Sequence, residues 1–104
     1  MKKITEQSIK CFLNNKKFSS GNMKVTVNTE KCSLLLHGNE IAFLSANGIY
    51  ISDCGWQTTT TKERLNGLLD TLGKRGLYQK DFIWYWKNEE VFPTDKFVKI
   101  TENK

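Results

Sequence analysis

Few residues in this sequence could carry chemistry, and the search for them starts at Cys54 and His37. A thiol and an imidazole make a nucleophile–base pair when folding brings them within hydrogen-bond reach. Cys54 lies in "SDCGWQTTTT" and His37 in "LHGNE", and no third group stands at a recognisable spacing from either. His37, next to a Gly-Asn pair, reads as a turn-flanking surface residue rather than a base. Asp53 and Glu63 offer two carboxylates, a pair that almost any chain contains. The three cysteines, Cys11, Cys32 and Cys54, are odd in number and widely spaced, with no CxxC. They read as free thiols in a reducing compartment. With a single histidine, a zinc site would need every Cys and His gathered by folding, so neither metal nor cofactor is expected. No GxxxxGK[ST] or GxGxxG nucleotide fingerprint is present. The expectation is a protein that is not an enzyme.

Two stretches have the composition of contact surfaces. In the loop Asp53–Thr61, small polar residues, a Gly, a Trp and four consecutive Thr lead into a helix start. Free N–H groups there, with Lys62 and Arg64 in the first turn, could hold a phosphate or carboxylate on Thr58–Thr61. The blander alternative, which we favour, is an ordinary capped helix with Trp56 packed into the core to anchor the loop. The second stretch is "FIWYW", residues 82–86. Aromatics on an open sheet can stack bases, and Lys80, Lys87, Lys96 and Lys99 could meet phosphates. Against this, Phe82, Trp84 and Trp86 alternate as the core face of a strand would, leaving Tyr85 on the exposed side. The expected partner-contact surface therefore combines Asp53, Trp56, Thr58, Thr59, Lys62, Arg64 and Tyr85.

The elements that must position these residues follow from hydrophobic periodicity. Ile9, Phe12 and Leu13 repeat at helical spacing and predict an amphipathic helix over about residues 6–17, capped by Thr5, with Ile4 stapled onto Ile9. The "SSGN" stretch Ser19–Asn22 ends it. The period then changes to two: strands are predicted at Met23–Val27, Cys32–His37, Ile41–Ser45 and Ile49–Ser52. They are joined by turns at Asn28–Lys31, Gly38–Asn39 and Asn47–Gly48. Leu65, Leu68, Leu69 and Leu72 predict a second helix over about 61–73, started by a Thr60–Glu63 capping box and ended at Gly73 or Gly76. Gly67 should weaken it. Short strands are expected near 77–80, 82–87, 90–92 and 96–100, with turns at Asn88-Glu89 and Pro93–Asp95. The fold class is α+β: one domain over residues 1–104 with a mostly antiparallel sheet. An uncovered edge at Met23–Val27 or Phe97–Ile100 could pair with its own copy and make a homodimer.

Composition sets the outer bounds. The chain has 104 residues, 38% hydrophobic and 26% charged, ordinary for a soluble globular domain. It contains one Pro, and there is no low-complexity tract. No apolar run reaches the roughly 18–20 residues of a membrane span, and "MKKITEQSIK" lacks the apolar core of a signal peptide. A cytoplasmic protein without a membrane partner is expected. Sixteen Lys+Arg against eleven Asp+Glu give a net charge of +5. Only Arg64 and Arg75 are Arg, so the bidentate phosphate contacts that Arg favours are scarce. The positive sign also argues against charge mimicry of DNA.

The blocks "LHGNEIAF", "GIYISDCGWQTTTTKERLNGLL" and "GLYQKDFIWYW" resemble a group of small tailed-bacteriophage proteins. The shared pattern is an LHGN hairpin, a strand ending in GW, a TTTKERLN helix start and a YQK…W strand, at Leu36–Asn39, Gly55–Trp56, Thr59–Asn66 and Tyr78–Lys80 with Trp84, the TTTTKERLN block being its most specific part. The likeness covers about residues 34–86 and carries no active site that could be transferred. It implies a non-enzymatic protein in the cytoplasm of an infected bacterium that binds and inhibits a host protein. Restriction, CRISPR and other defence systems, or the host transcription machinery, are the targets it implies; a defence component would make the role anti-CRISPR or otherwise anti-defence. The alternative is a small basic nucleic-acid-binding protein using the aromatic strand and the Lys/Arg face.

Overall fold

The computed structural model describes residues 1–87 and 89–101. Its elements run α1 (Lys3–Leu13), β1 (Phe18–Ser20), β2 (Met23–Val27), β3 (Lys31–Leu36), β4 (Asn39–Ser45), β5 (Gly48–Ile51) and α2 (Thr59–Thr71). Then come β6 (Tyr78–Lys80), β7 (Ile83–Trp86), β8 (Glu90–Val91) and β9 (Val98–Thr101). Strands β1 to β5 form an antiparallel meander that β9 extends on the β5 side, and β6–β7–β8 make a separate antiparallel sheet. The α+β class and the sequential meander are as expected from the alternating pattern.

The pattern also decides which face is buried. Met23 and Val25 of β2, Cys32, Leu34 and Leu36 of β3, and Ile49 and Ile51 of β5 alternate onto one face. Ile9 and Phe12 of α1 and the Leu65–Leu68–Leu69 stripe of α2 complete the same core. Phe43 and Tyr50 are opposite partners on the outer face and stack at 4.7 Å. Between Leu34 and Leu35 the β3–β4 register shifts, so that both Ile41 and Ala42 are buried where strict alternation would bury one.

Several local expectations are corrected. Helix α1 starts at Lys3, and its N-cap Lys2 makes no side-chain cap bond. Thr5 is therefore inside the helix, fully buried against α2 rather than capping α1. Residues 18–20, which follow the predicted helix and run into its predicted break at Ser19–Asn22, form β1, which occupies the sheet edge and makes Met23–Val27 an internal strand. The exposed edge of the large sheet at its other end is β9. The β3–β4 turn is His37-Gly38, not Gly38-Asn39. Both residues have positive φ (51° and 82°), as a type I′ hairpin requires, and Leu36 pairs with Asn39 to close it.

Helix α2 is capped by Thr58, whose hydroxyl accepts from the N–H of Thr61 at 3.1 Å, in place of the Thr60–Glu63 box. It ends in a Schellman motif: Lys74 N–H donates to the Leu69 carbonyl at 2.8 Å and Gly73, at φ 71°, donates to Asp70. Gly67 has a packing role beyond its low propensity, because a Cβ there would stand 2.6 Å from Thr5 Cγ2 and 3.0 Å from Ile9 Cδ1. The two helices can approach only because that position is glycine.

In the small sheet, Trp84 and Trp86 face the core against Phe92. Phe82 is not their neighbour on that face. It occupies a two-residue turn with Asp81, at φ 67°, and is 90% exposed. Of the predicted Asn88-Glu89 turn, Asn88 lies outside the described residues.

Candidate functional site

Antiparallel pairing of β4 and β5 places the end of β5 beside the beginning of β4, which itself follows the His37-Gly38 turn. Ser52 N–H donates to the Ile41 carbonyl at 2.8 Å and the Cys54 thiol donates to the Glu40 carbonyl at 2.6 Å, so the outgoing loop stays against this hairpin. The "LHGN" and "GWQTTTT" blocks, far apart in sequence, therefore line one pocket of about 350 Å³. Leu36, Ile41 and Trp56 supply its apolar surface, while His37, Asn39, Thr58, Thr60 and Thr61 supply polar groups.

The loop that carries Trp56 is held by a buried carboxylate. Asp53 is fully buried. Its Oδ1 accepts from the N–H groups of Gly55 (2.8 Å) and Asp95 (2.7 Å) and from the Thr94 hydroxyl (3.5 Å), and its Oδ2 accepts from Gln57 Nε2 at 3.0 Å. Burying a carboxylate is costly unless its lone pairs are filled, and here they are. Cys54 and Gly55 take the left-handed conformation, and the Trp56 N–H returns to the Asp53 carbonyl at 2.8 Å. Trp56 leaves this turn 59% exposed. It does not anchor the loop in the core; Asp53 anchors it, and the indole is left at the rim of the pocket.

The remaining expected contact residues separate. Thr58 lines the pocket as the cap of α2, and Thr59 is an exposed first-turn residue. Arg64 is buried, which removes it from any surface. Its Nη1 donates to Thr5 Oγ1 at 2.8 Å and to Glu63 Oε1, and its Nη2 donates to Asn22 Oδ1 at 3.0 Å, tying α2 to α1 and to the β1–β2 turn. Asp53 is withdrawn from the surface in the same way. Lys62 turns toward the small sheet, donating to Gln79 at 3.4 Å and lying 5.9 Å from the Trp84 ring. The anion reading built on Thr58–Thr61, Lys62 and Arg64 thus loses both of its cations. Tyr85 is half-buried on the small sheet and stacks on Tyr78 at 5.6 Å.

The Cys54–His37 pair is not assembled. His37 faces the pocket, whereas the Cys54 thiol is committed to the Glu40 carbonyl. Burial raises the Cys54 pKa, and the neighbouring carboxylates of Asp53, Asp95 and Glu40 add to that rise against one opposing hydrogen bond from Ser52. A thiol held protonated is a poor nucleophile. Asp53 and Glu63 bind different partners and do not form a carboxylate pair. Among the described residues, no group of three or more His, Cys, Asp or Glu is placed to hold a metal ion.

Comparison with known families gives the biological setting: the model for the Kyanoviridae Gp96 protein matches residues 1–103. The chain belongs to this phage protein family. The match runs almost the whole chain, well beyond residues 34–86 that carried the resemblance in sequence, and takes in α1 and β9 as well as the pocket. The pocket and its Trp56 rim are thus features of a phage protein. No curated protein and no solved structure matches the chain. Among the described residues, no helix is long and apolar enough to cross a membrane.

Proposed function

We propose that this phage protein works by binding a host protein in the cytoplasm of the infected cell and inhibiting it, without catalysing a reaction, with bacterial defence components, CRISPR systems included, as the target class. The observation that carries the reading is Trp56: a residue 59% exposed on a loop whose backbone is held by the buried Asp53 carboxylate, at the rim of a pocket of mixed apolar and polar lining. Trp is the residue most enriched among the few side chains that dominate interface energies. An aromatic held in place before binding loses little conformational entropy when a partner covers it. The contact surface we assign is Trp56 with His37, Asn39 and Thr60 around the pocket. The raised Cys54 pKa supports the non-enzymatic part of the reading.

The test is affinity capture from bacterial lysate with tagged protein, with and without nuclease, using Trp56→Ala as the comparison. A stoichiometric protein that survives nuclease and is lost with Trp56→Ala supports the reading. Removing an exposed ring leaves the core intact, so the variant's melting temperature should equal that of the parent. Capture that is unchanged by Trp56→Ala overturns the surface assignment, and capture of nucleic acid alone overturns the reading itself.

A further inference from the structure

Strand β1 is the outermost strand of the large sheet, and among the described residues no strand lies beyond it. The Asn28 N–H donates to the Lys31 carbonyl at 3.0 Å, which fixes the alternation of the β2–β3 ladder. Lys24 and Thr26, opposite Leu35 and Ser33, direct their backbone groups to β3, so Met23, Val25 and Val27 turn theirs toward β1. Ser20 and Phe18 stand opposite Met23 and Val25 and meet two of these. Ser19, between them, directs its own N–H and C=O away from the sheet. Val27 has no β1 residue opposite it, because the pairing ends at Phe18 and Val25. The edge therefore offers backbone groups that an added strand can take up.

The side chains beside this edge select the strand that fits. At the step where β2 runs on past β1, Lys17, Phe18 and Lys24 line a pocket of about 520 Å³. Toward α1, Lys10, Cys11, Lys16 and Phe18 line another of about 390 Å³. Phe18 is half-buried and common to both. The four lysines are exposed, and among the described residues none of them is in an ion pair. No described acid lines either pocket, and Glu6 and Glu30, the nearest in sequence, belong to neither. A second copy of this edge would bring the same four charges, and lysines so placed oppose self-pairing. A nucleic acid would meet the charges but would leave the strand's backbone groups unused, and Phe18 is the only ring lining the two pockets. An acidic polypeptide strand answers both the charges and the backbone.

We propose that β1 binds an extended acidic segment of a partner protein as an added strand. Its backbone bonds to Ser19, an apolar side chain packs on Phe18, and acidic side chains meet Lys17 and Lys24. The alternation sets this pattern, since Phe18 shares the buried face of Val25 and Ser19 the outer face of Lys24. The edge shares no lining residue with the Trp56 pocket, and neither assignment depends on the other.

The experiment is a titration of the full chain, followed by amide NMR spectra, with a peptide of alternating Glu and Val of about six residues, an ordinary strand length. It starts at low salt, where surface charges are least screened. The Ser19 amide should shift and its hydrogen exchange should slow, and the binding should weaken as salt rises. The same peptide with Lys in place of Glu should not bind. Ser19→Pro removes the outward donor at an edge position that tolerates proline, so it should melt near the parent. It should weaken binding by about 2- to 10-fold, the range for one lost hydrogen bond. Lys17→Glu combined with Lys24→Glu should abolish binding of the Glu peptide and admit the Lys peptide. Absence of binding at low salt overturns the proposal, as does equal binding of both peptides or binding that leaves Ser19 unchanged. Shifts at Ser19 that grow with protein concentration alone would give the edge to a second copy. Displacement of the peptide by oligo(dT) would give it to nucleic acid, and either outcome overturns the proposal.

Discussion

The Asp53 carboxylate accepts a 2.7 Å hydrogen bond from the backbone N–H of Asp95, forty-two residues further along the chain. One buried side chain thereby joins the loop after β5 to the segment between β8 and β9. Those two segments flank α2 and the small sheet in sequence, so the contact closes the second half of the chain back onto the first.

Replacing Asp53 with Ala should therefore be strongly destabilising. It would leave the Gly55 and Asp95 N–H groups, both in part-buried hydrogen bonds, and the Gln57 amide without their acceptor, and hydrogen bonds to a charged group contribute about 1.5–3 kcal/mol each. We expect a loss of roughly 2–4 kcal/mol by chemical denaturation. Asp53→Asn keeps one acceptor oxygen but turns an NH2 toward a donor, and should fall between Ala and the parent. A melt unchanged in Asp53→Ala would mean that the loop is held by something else.

Glu63 supplies the acid sensitivity of the interhelical contact. Burial alone would push its carboxyl up, but hydrogen bonds from the Thr5 hydroxyl, Arg64 and the Lys2 N–H, together with the Arg64 charge, outweigh this and hold it below its ordinary value of about 4.5. A carboxyl whose pKa is lowered by folding binds protons more readily in the unfolded chain. Its stabilising contribution is then complete above that ordinary value and is lost as pH falls through the lower folded one. Glu63→Gln should lower stability near neutrality and flatten the acid limb of a stability-versus-pH curve. An acid limb identical in the parent and in Glu63→Gln would assign the sensitivity to other carboxylates.

Gly67→Ala separates helix propensity from packing. An isolated helix would gain about 1 kcal/mol from the change. Here the new methyl would meet Thr5 Cγ2 at 2.6 Å. Thr5 cannot rotate away freely, since its hydroxyl donates to Glu63 at 2.7 Å and accepts from Arg64 at 2.8 Å. Overpacking of this kind costs about 1–3 kcal/mol, so the expected net change is destabilising. Thr5→Ser removes only the clashing methyl and keeps the hydroxyl, so it should be milder alone and should recover part of the loss when combined with Gly67→Ala.

How legible these features were in the sequence follows from the physics of each. Met23–Val27 has the bounds that its alternation predicts, because a period of two needs only local information. Phe18–Ser20 was missed because a three-residue strand ending in Ser-Ser shows neither alternation nor strand propensity. The leucine stripe of α2 was legible, whereas its cap moved from Thr60 to Thr58, since a run of four Thr offers several hydroxyls of equal local merit. Arg64 and Asp53 were misread as surface residues. Both are polar, and only the tertiary arrangement shows that Thr5 and Asn22 arrive to accept from the Arg64 Nη groups and the Asp95 N–H to donate to Asp53. The pocket's other wall, His37 and Asn39, was visible as a hairpin, but nothing in one dimension places it beside Trp56.

The cysteines offer a last prediction, on reactivity. Cys32 is fully buried and its thiol donates to the Phe12 carbonyl at 3.4 Å. Burial raises its pKa, as does neighbouring Cys11. Cys54 is raised as well, again first by burial. In both, the reactive thiolate is scarce at neutral pH and grows only as pH passes above the ordinary value of 9.0. Alkylation of the folded protein at neutral pH, followed site by site by mass spectrometry, should therefore find Cys32 protected. Cys54 should react slowly and accelerate steeply toward alkaline pH. Cys54 labelled first and fast at neutral pH would contradict a part-buried thiol whose pKa is raised, and would return a nucleophilic role to it.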